Sequence, residues 1–275
     1  MRTLAFALAS TLTAATTHAA VIGINFTHNG TDPDDVLFGP AAVAGAPGYA
    51  IANWNHVLTD WSGSGSNDAL FSTGLVSSDG RSIGSTLMGI TYAPHTDPIH
   101  FDANNTWRSG IGNGSPNDTL MNGYLDDGGN DQPYLNFSID PAASGPFTVV
   151  VYAHGDGANA AVGRYWLEEW TNPLAAGTVI TDQVGILSND YTGTFISAGT
   201  FGQTGSPANV DVATGNYLVF SGITAHNIRI RAAGNGDPED FGRGPLNAVL
   251  LIVPEPTRAA LLAFGALGLL LRRRR

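Results

Sequence analysis

Apolar residues in this chain come in short bursts, and nearly every burst is closed by glycine, proline, asparagine or aspartate. A helix needs a longer run with apolar positions about every third or fourth residue. Alternation over a few residues between turn formers marks strands instead. Strands are expected at Val21–Phe26, Ser85–Ala93, Tyr134–Ile139, Phe147–Ala153, Val162–Trp170, Gly193–Ala198, Tyr217–Ser221, Asn227–Ala232 and Leu246–Val253. Phe147–Ala153 is apolar and β-branched enough to be the central strand. The mixed pattern of Tyr134–Ile139 fits a sheet buried over most of both faces. Gly222–Ala225 has the length of a hairpin link between its two flanking strands. A helix is expected only around Asp118–Leu125, with Asp118 as its cap. Thr31–Gly48 reads as an excursion, and no repeat indicates a solenoid or propeller. The expected fold is one all-β domain over residues 20–252, a β-sandwich or jelly roll.

Composition supports this and removes several functions. Glycine (35) and proline (15) disfavour helices, and only 13% of residues are charged, so ion-paired helix faces are missing. All twelve basic residues are arginine, which excludes a Schiff-base or phosphate-loop lysine. There is no cysteine, hence no disulfide, thiol nucleophile or thiolate metal site. Between Ala20 and Pro254, six arginines stand against 22 acids, a formal charge of −16. Such a body has nothing to neutralise a row of phosphates, so nucleic acid is not an expected partner.

The ends read as addresses. Arg2, an apolar run from Leu4 to Leu12 and small residues up to Ala20 have the layout of a secretory signal peptide, residues 1–19. The secretion translocon and signal peptidase are its expected partners. At the other end, Val253, Pro254, Glu255 and Pro256 precede an apolar segment, Ala259 to Leu271, and then Arg272, Arg273, Arg274 and Arg275. Those thirteen apolar residues make only about 20 Å of helix, short of a hydrocarbon core of roughly 30 Å. The arginines should stay cytoplasmic and leave the sandwich outside.

This tail, residues 253–275, resembles the PEP-CTERM sorting signal of exported bacterial proteins. The resemblance implies handling by exosortase, transient membrane anchoring through the helix, and delivery to the cell surface or exopolysaccharide matrix. The body is similar to a group of uncharacterised exported proteins that carry the same tail. The matching pieces are Asn53-Trp54-Asn55, Asn104–Trp107, Leu120–Asp126, Gly163-Arg164-Tyr165 and Gly244–Ala248. That second resemblance implies a galactose-binding-like jelly roll and establishes no activity.

Several segments carry chemistry-bearing residues. Gly80-Arg81-Ser82-Ile83-Gly84 matches the nucleophile-elbow pattern, which needs a strand before it and a helix after it. A hairpin turn is the plainer reading. His95 and His100 flank Asp97, and His154 precedes Asp156; zinc at either would need a third ligand, so polar loops are expected. Calcium has better candidates, because it accepts loosely arranged oxygens on glycine-permitted turns. These are Asp126, Asp127, Asn130 and Asp131, and then Asp237, Glu239 and Asp240. Neither loop is an EF-hand, and solvated turn acids are the plainer reading. Glu168 and Glu169 adjoin on an expected strand, so they should face opposite ways, and no partner carboxylate for glycoside hydrolysis is selected. Tryptophans mostly fill β-sandwich cores; Trp54, Trp61 and Trp107 lie in Asn- and Ser-rich contexts and are the first candidates for rings exposed for sugar stacking.

The expectation is an exported, non-enzymatic protein associated with carbohydrate or matrix. An envelope hydrolase of polysaccharide or ester bonds, and a structural surface protein without a ligand, are the alternatives.

Overall fold

The computed structural model describes residues 20–28, 37–59, 70–71, 75–83, 88–92, 106–112, 114–125, 134–139, 141, 143, 145–155, 163–172, 177–233 and 244–254. Sixteen strands and one short helix lie among them. They are β1 (Ala20–His28), β2 (Asn55–Thr59), β3 (Leu70–Phe71), β4 (Met88–Tyr92), β5 (Thr106–Arg108), α1 (Pro116–Asn122), β6 (Gly123–Leu125) and β7 (Tyr134–Ile139). Then come β8 (Phe147–Tyr152), β9 (Gly163–Glu169), β10 (Thr178–Val179), β11 (Gln183–Ile186) and β12 (Ser197–Gly202). The last four are β13 (Asn209–Val212), β14 (Tyr217–Ile223), β15 (Asn227–Ala233) and β16 (Ala248–Val253).

The protein is an all-β sandwich. One sheet has the order β12-β14-β8-β16-β1-β2; the other runs β13-β11-β9-β15-β7-β4-β3, with β10 beside β9. From β12 to β16 the chain changes sheet at every step. Most pairings are antiparallel, but β1–β2, β11–β13 and β12–β14 are parallel.

Period-two alternation builds the core. Ile22, Ile24 and Phe26 of β1, Phe147, Val149 and Val151 of β8, and Val249 and Leu251 of β16 point inward. They meet Leu135, Phe137 and Ile139 of β7, Tyr165 and Leu167 of β9, and Ile228 and Ile230 of β15. Fully burying each such side chain contributes about 1.5–3 kcal/mol. The first sheet is also covered on its other face, where Val150, Tyr152, Val219 and Leu250 pack with Ala44, Ala46, Trp54, Leu120, Met121 and Tyr191. Burial on both faces explains why Val149–Tyr152 and Ala248–Val253 are unbroken apolar runs.

Three expectations need correction. The link after Gly222 makes no hairpin: β14 pairs with β8 and β12, whereas β15 pairs with β7 and β9 in the opposite sheet. Turn residues encode a reversal, not the sheet that the next strand joins. The strand expected at Gly193–Ala198 lies at Ser197–Gly202, because Ile196 N–H is taken by the Asn216 side chain (2.9 Å) and Phe195 turns into the outer layer. The helix is capped by Ser115, not Asp118. The Ser115 hydroxyl accepts from Asp118 N–H (3.2 Å) and donates to the Asp118 carboxylate (2.8 Å), with Pro116 opening the first turn. No described helix is long and apolar enough to cross a membrane.

Candidate functional site

The outer layer of the first sheet ends in a cluster of aromatic rings. Tyr152 closes β8 and Tyr217 opens β14, and register sets them directly opposite, with ring centroids 6.1 Å apart. The other neighbour of Tyr152 is Ala248, whose small side chain leaves room for the ring. Phe195 stands 5.6 Å from Tyr152 and 6.2 Å from Tyr217, while Tyr49 is 6.4 Å from Tyr217. Tyr191 touches Phe195 at 5.0 Å, and Trp54 meets Tyr152 at 6.0 Å. Most of these pairs are edge-to-face or tilted, the arrangement that ring quadrupoles favour. Tyr152, Tyr191 and Trp54 are buried; Tyr49, Phe195 and Tyr217 are half-buried, with Val43 and Ile196 exposed in the flanking loops.

Asparagine side chains tie the layer down in a chain that has no cysteine. Asn216 donates to Asp190 and Thr194 carbonyls (3.1 and 3.0 Å) and accepts from Ile196, which fixes the loop that carries Tyr191 and Phe195. Asn117 accepts from Gly45 N–H (2.9 Å), and Tyr152 Oη accepts from Ala46 N–H (3.1 Å), which fixes the loop that carries Tyr49. Asn247 donates to the Met121 and Gly123 carbonyls, both at 2.9 Å, and accepts from His154 N–H. Asn25 reaches the Leu120 carbonyl at 3.0 Å. Fully buried amides satisfied in this way stabilise one loop geometry, since any slip strands a polar group.

The two buried phenols of this cluster, Tyr152 and Tyr191, are kept neutral. Burial pushes the Tyr152 hydroxyl well above the usual tyrosine value. Tyr191 is pushed up to about 12, first by burial and then by the charge and hydrogen bond of Asp118. His154 Nδ1 accepts the Tyr191 N–H at 3.0 Å, which places the ring proton on Nε2. That bond makes His154 a loop support.

Of the three candidate stacking rings, the structure describes only that of Trp54. Trp54 is only 5% exposed; its indole N–H donates to Ala44 and Ile51 carbonyls (both 3.1 Å), and its ring lies on Gly23, where a Cβ would sit 2.5 Å from the ring. Its role is packing. Trp61 lies outside the described residues, as does the side chain of Trp107, whose backbone forms the middle of β5. The candidate calcium residues Asp126, Asp127, Asn130, Asp131, Asp237, Glu239 and Asp240 all lie outside them too, as do His95, His100, Asp156, Glu255, Pro256 and Arg272–Arg275. Among the described residues, no three histidine, aspartate or glutamate side chains gather as metal ligands.

Residues 80–83 form a turn: Val76 bridges Ser82 across it, Gly80 takes φ 79°, and Asp79 accepts from Ser77 and Arg81, while Gly84 lies outside the described residues. Glu168 is buried and Glu169 exposed, on opposite faces of β9. Glu168 Oε1 accepts from Trp166 Nε1 (3.1 Å) and Arg231 Nε (3.2 Å). Its Oε2 accepts from Gly177 N–H (3.2 Å) and pairs with Arg229 at 3.5 Å. Arg229 in turn donates to Asn136 at 2.8 Å. A carboxylate with this many donors is the hub of an ion network, not a free nucleophile.

Fold and site together define a mixed β-sandwich with a braced aromatic cluster at one end. No family model, curated protein or solved structure matches the chain.

Proposed function

We propose that the protein is an exported, non-enzymatic surface or matrix protein that binds glycan through the aromatic cluster. The observation that carries this reading is the position of the cluster relative to the chain ends. Ala20 pairs with Val253, so the signal-peptide junction and the sorting tail leave the sandwich side by side. Tyr152 pairs with Ala248 at the other end of the same sheet. Five residue steps along the strand take Ala248 to Val253, about 17 Å at strand rise. A tail held in or at the membrane would therefore leave Tyr49, Phe195 and Tyr217 facing away from it.

Cleavage after Ala19 would keep β1 whole, since the strand begins at Ala20. Pro254 directly follows β16 and stops the strand before the tail, so the Pro-Glu-Pro motif that exosortase would read begins where the sandwich ends. Half-buried aromatics on a rigid frame suit sugar C–H faces, because they add apolar contact at little entropy cost. The test is retention of the full-length chain on immobilised polysaccharides, compared with Tyr217→Ala. Retention lost with the ring supports the reading. Equal retention of both forms, or none of either, removes it.

A further inference from the structure

We propose that the aromatic cluster takes an uncharged saccharide and rejects the corresponding uronic acid, an inference that rests on the glycan-binding reading and names the ligand class within it. The argument is the distribution of charge around the rings. Residues 37–54, which carry Tyr49 and cover the sheet, contain no aspartate, glutamate, arginine or histidine. Residues 189–196, which carry Tyr191 and Phe195, contain Asp190 and no base. Helix α1 adds Asp118, whose charge and hydrogen bond already bear on Tyr191.

Binding a carboxylate in a sugar polymer normally uses arginine, which can offer two parallel donors. The arginines whose side chains are described are placed elsewhere. Arg164, Arg229 and Arg231 belong to β9 and β15 of the second sheet, where Arg164 pairs with Asp211 (2.8 Å) and the other two face Glu168. Arg81 pairs with Asp79 at 2.6 Å, in a turn that is bonded to the Val21 carbonyl at the tail end of the sheet. Arg108 lies on β5, outside both ring-bearing loops. A uronate at the rings would therefore meet two nearby carboxylates and a strongly acidic body with no cation from either loop. A neutral sugar loses nothing of this kind. Its apolar face packs on Tyr49, Phe195 and Tyr217, and its hydroxyls reach the loop main chain and water.

The experiment is calorimetric titration of the full-length chain with neutral hexamers of glucose, mannose and galactose, and with the C6-oxidised form of each. At least one neutral hexamer should bind, and its oxidised partner should bind about five- to tenfold more weakly at low salt. The gap should narrow at about 0.5 M salt, where charges beyond a few ångströms are screened. Tyr217→Ala should abolish neutral binding, while Tyr217→Phe should keep most of it. Equal or tighter binding of the oxidised hexamer, lost on Arg108→Ala or not, overturns the inference and leaves glycan binding standing. Binding of neither form overturns both.

Discussion

Replacing Asn247 with alanine tests whether buried amides, in place of disulfides, hold the outer layer on the first sheet. The side chain makes three bonds, to the Met121 and Gly123 carbonyls and from His154 N–H, and the residue is fully buried. Each main-chain group left buried and facing a methyl costs about 1–3 kcal/mol. The Met121 carbonyl keeps Ser109 Oγ at 3.1 Å, so its loss is softened. The sum is a destabilisation of about 3–4 kcal/mol, or roughly 10 °C in the thermal midpoint for a domain of this size. Urea unfolding of the parent and the variant, followed by tryptophan fluorescence, measures it directly. Asn247→Asp should do no better, because it keeps the acceptor but loses both donors and buries a charge. A shift under about 1 kcal/mol at unchanged urea dependence would refute the reasoning, since the amide would then be dispensable.

Other consequences follow from the same contacts. Glu168→Gln should cost about 3 kcal/mol, because Arg229, 2% exposed, loses its counter-charge, whereas Glu169→Gln should be nearly neutral in the same denaturation assay. His56 has its pKa lowered from 6.5 by burial, outweighing a bond to the Phe38 carbonyl. The unfolded chain therefore takes up the proton first, and stability should fall as pH drops below about 6.5 until the folded value is reached. His56→Gln should flatten that slope between urea midpoints at pH 7.5 and 5.5. Changing Pro254-Glu255-Pro256 to alanines should leave an uncleaved, membrane-held precursor, read by mass and fractionation in a host with exosortase; processing like the parent would leave a plain tail anchor.

The elements legible in the sequence are those whose physics is local. Tyr134–Ile139, Phe147–Tyr152 and Asn227–Ala233 alternate or run apolar between turn residues, and all form strands at the expected places. Leu70–Phe71, Thr178–Val179 and Asn209–Val212 were not legible as strands, because two residues carry no period and Asn-Val-Asp-Val looks like a polar loop. They are strands because a neighbour offers hydrogen bonds. The site was legible only as a surplus of aromatics. Trp54 stands between two asparagines, which reads as a wet loop; yet Asn53 bonds the Ser78 carbonyl (2.9 Å) and Asn55 bonds Gly23 and Val76 carbonyls, so the asparagines pin the ring inward. The matching signal is Gly23 itself, a glycine inside a strand where another group approaches closely. Tyr217 gives no such cue: it differs from a core tyrosine only through its register beside Tyr152 at a sheet end.

The central claim is that a half-buried ring at the end of the sheet away from the tail carries glycan binding. Affinity electrophoresis of the full-length chain through gels containing neutral polysaccharide, alongside Tyr217→Phe and Tyr217→Ala, tests it most directly. The account predicts retardation of the parent and the phenylalanine form, and free migration of the alanine form with its thermal midpoint within a few degrees of the parent. Retardation of the alanine form equal to the parent, or free migration of all three, would contradict it.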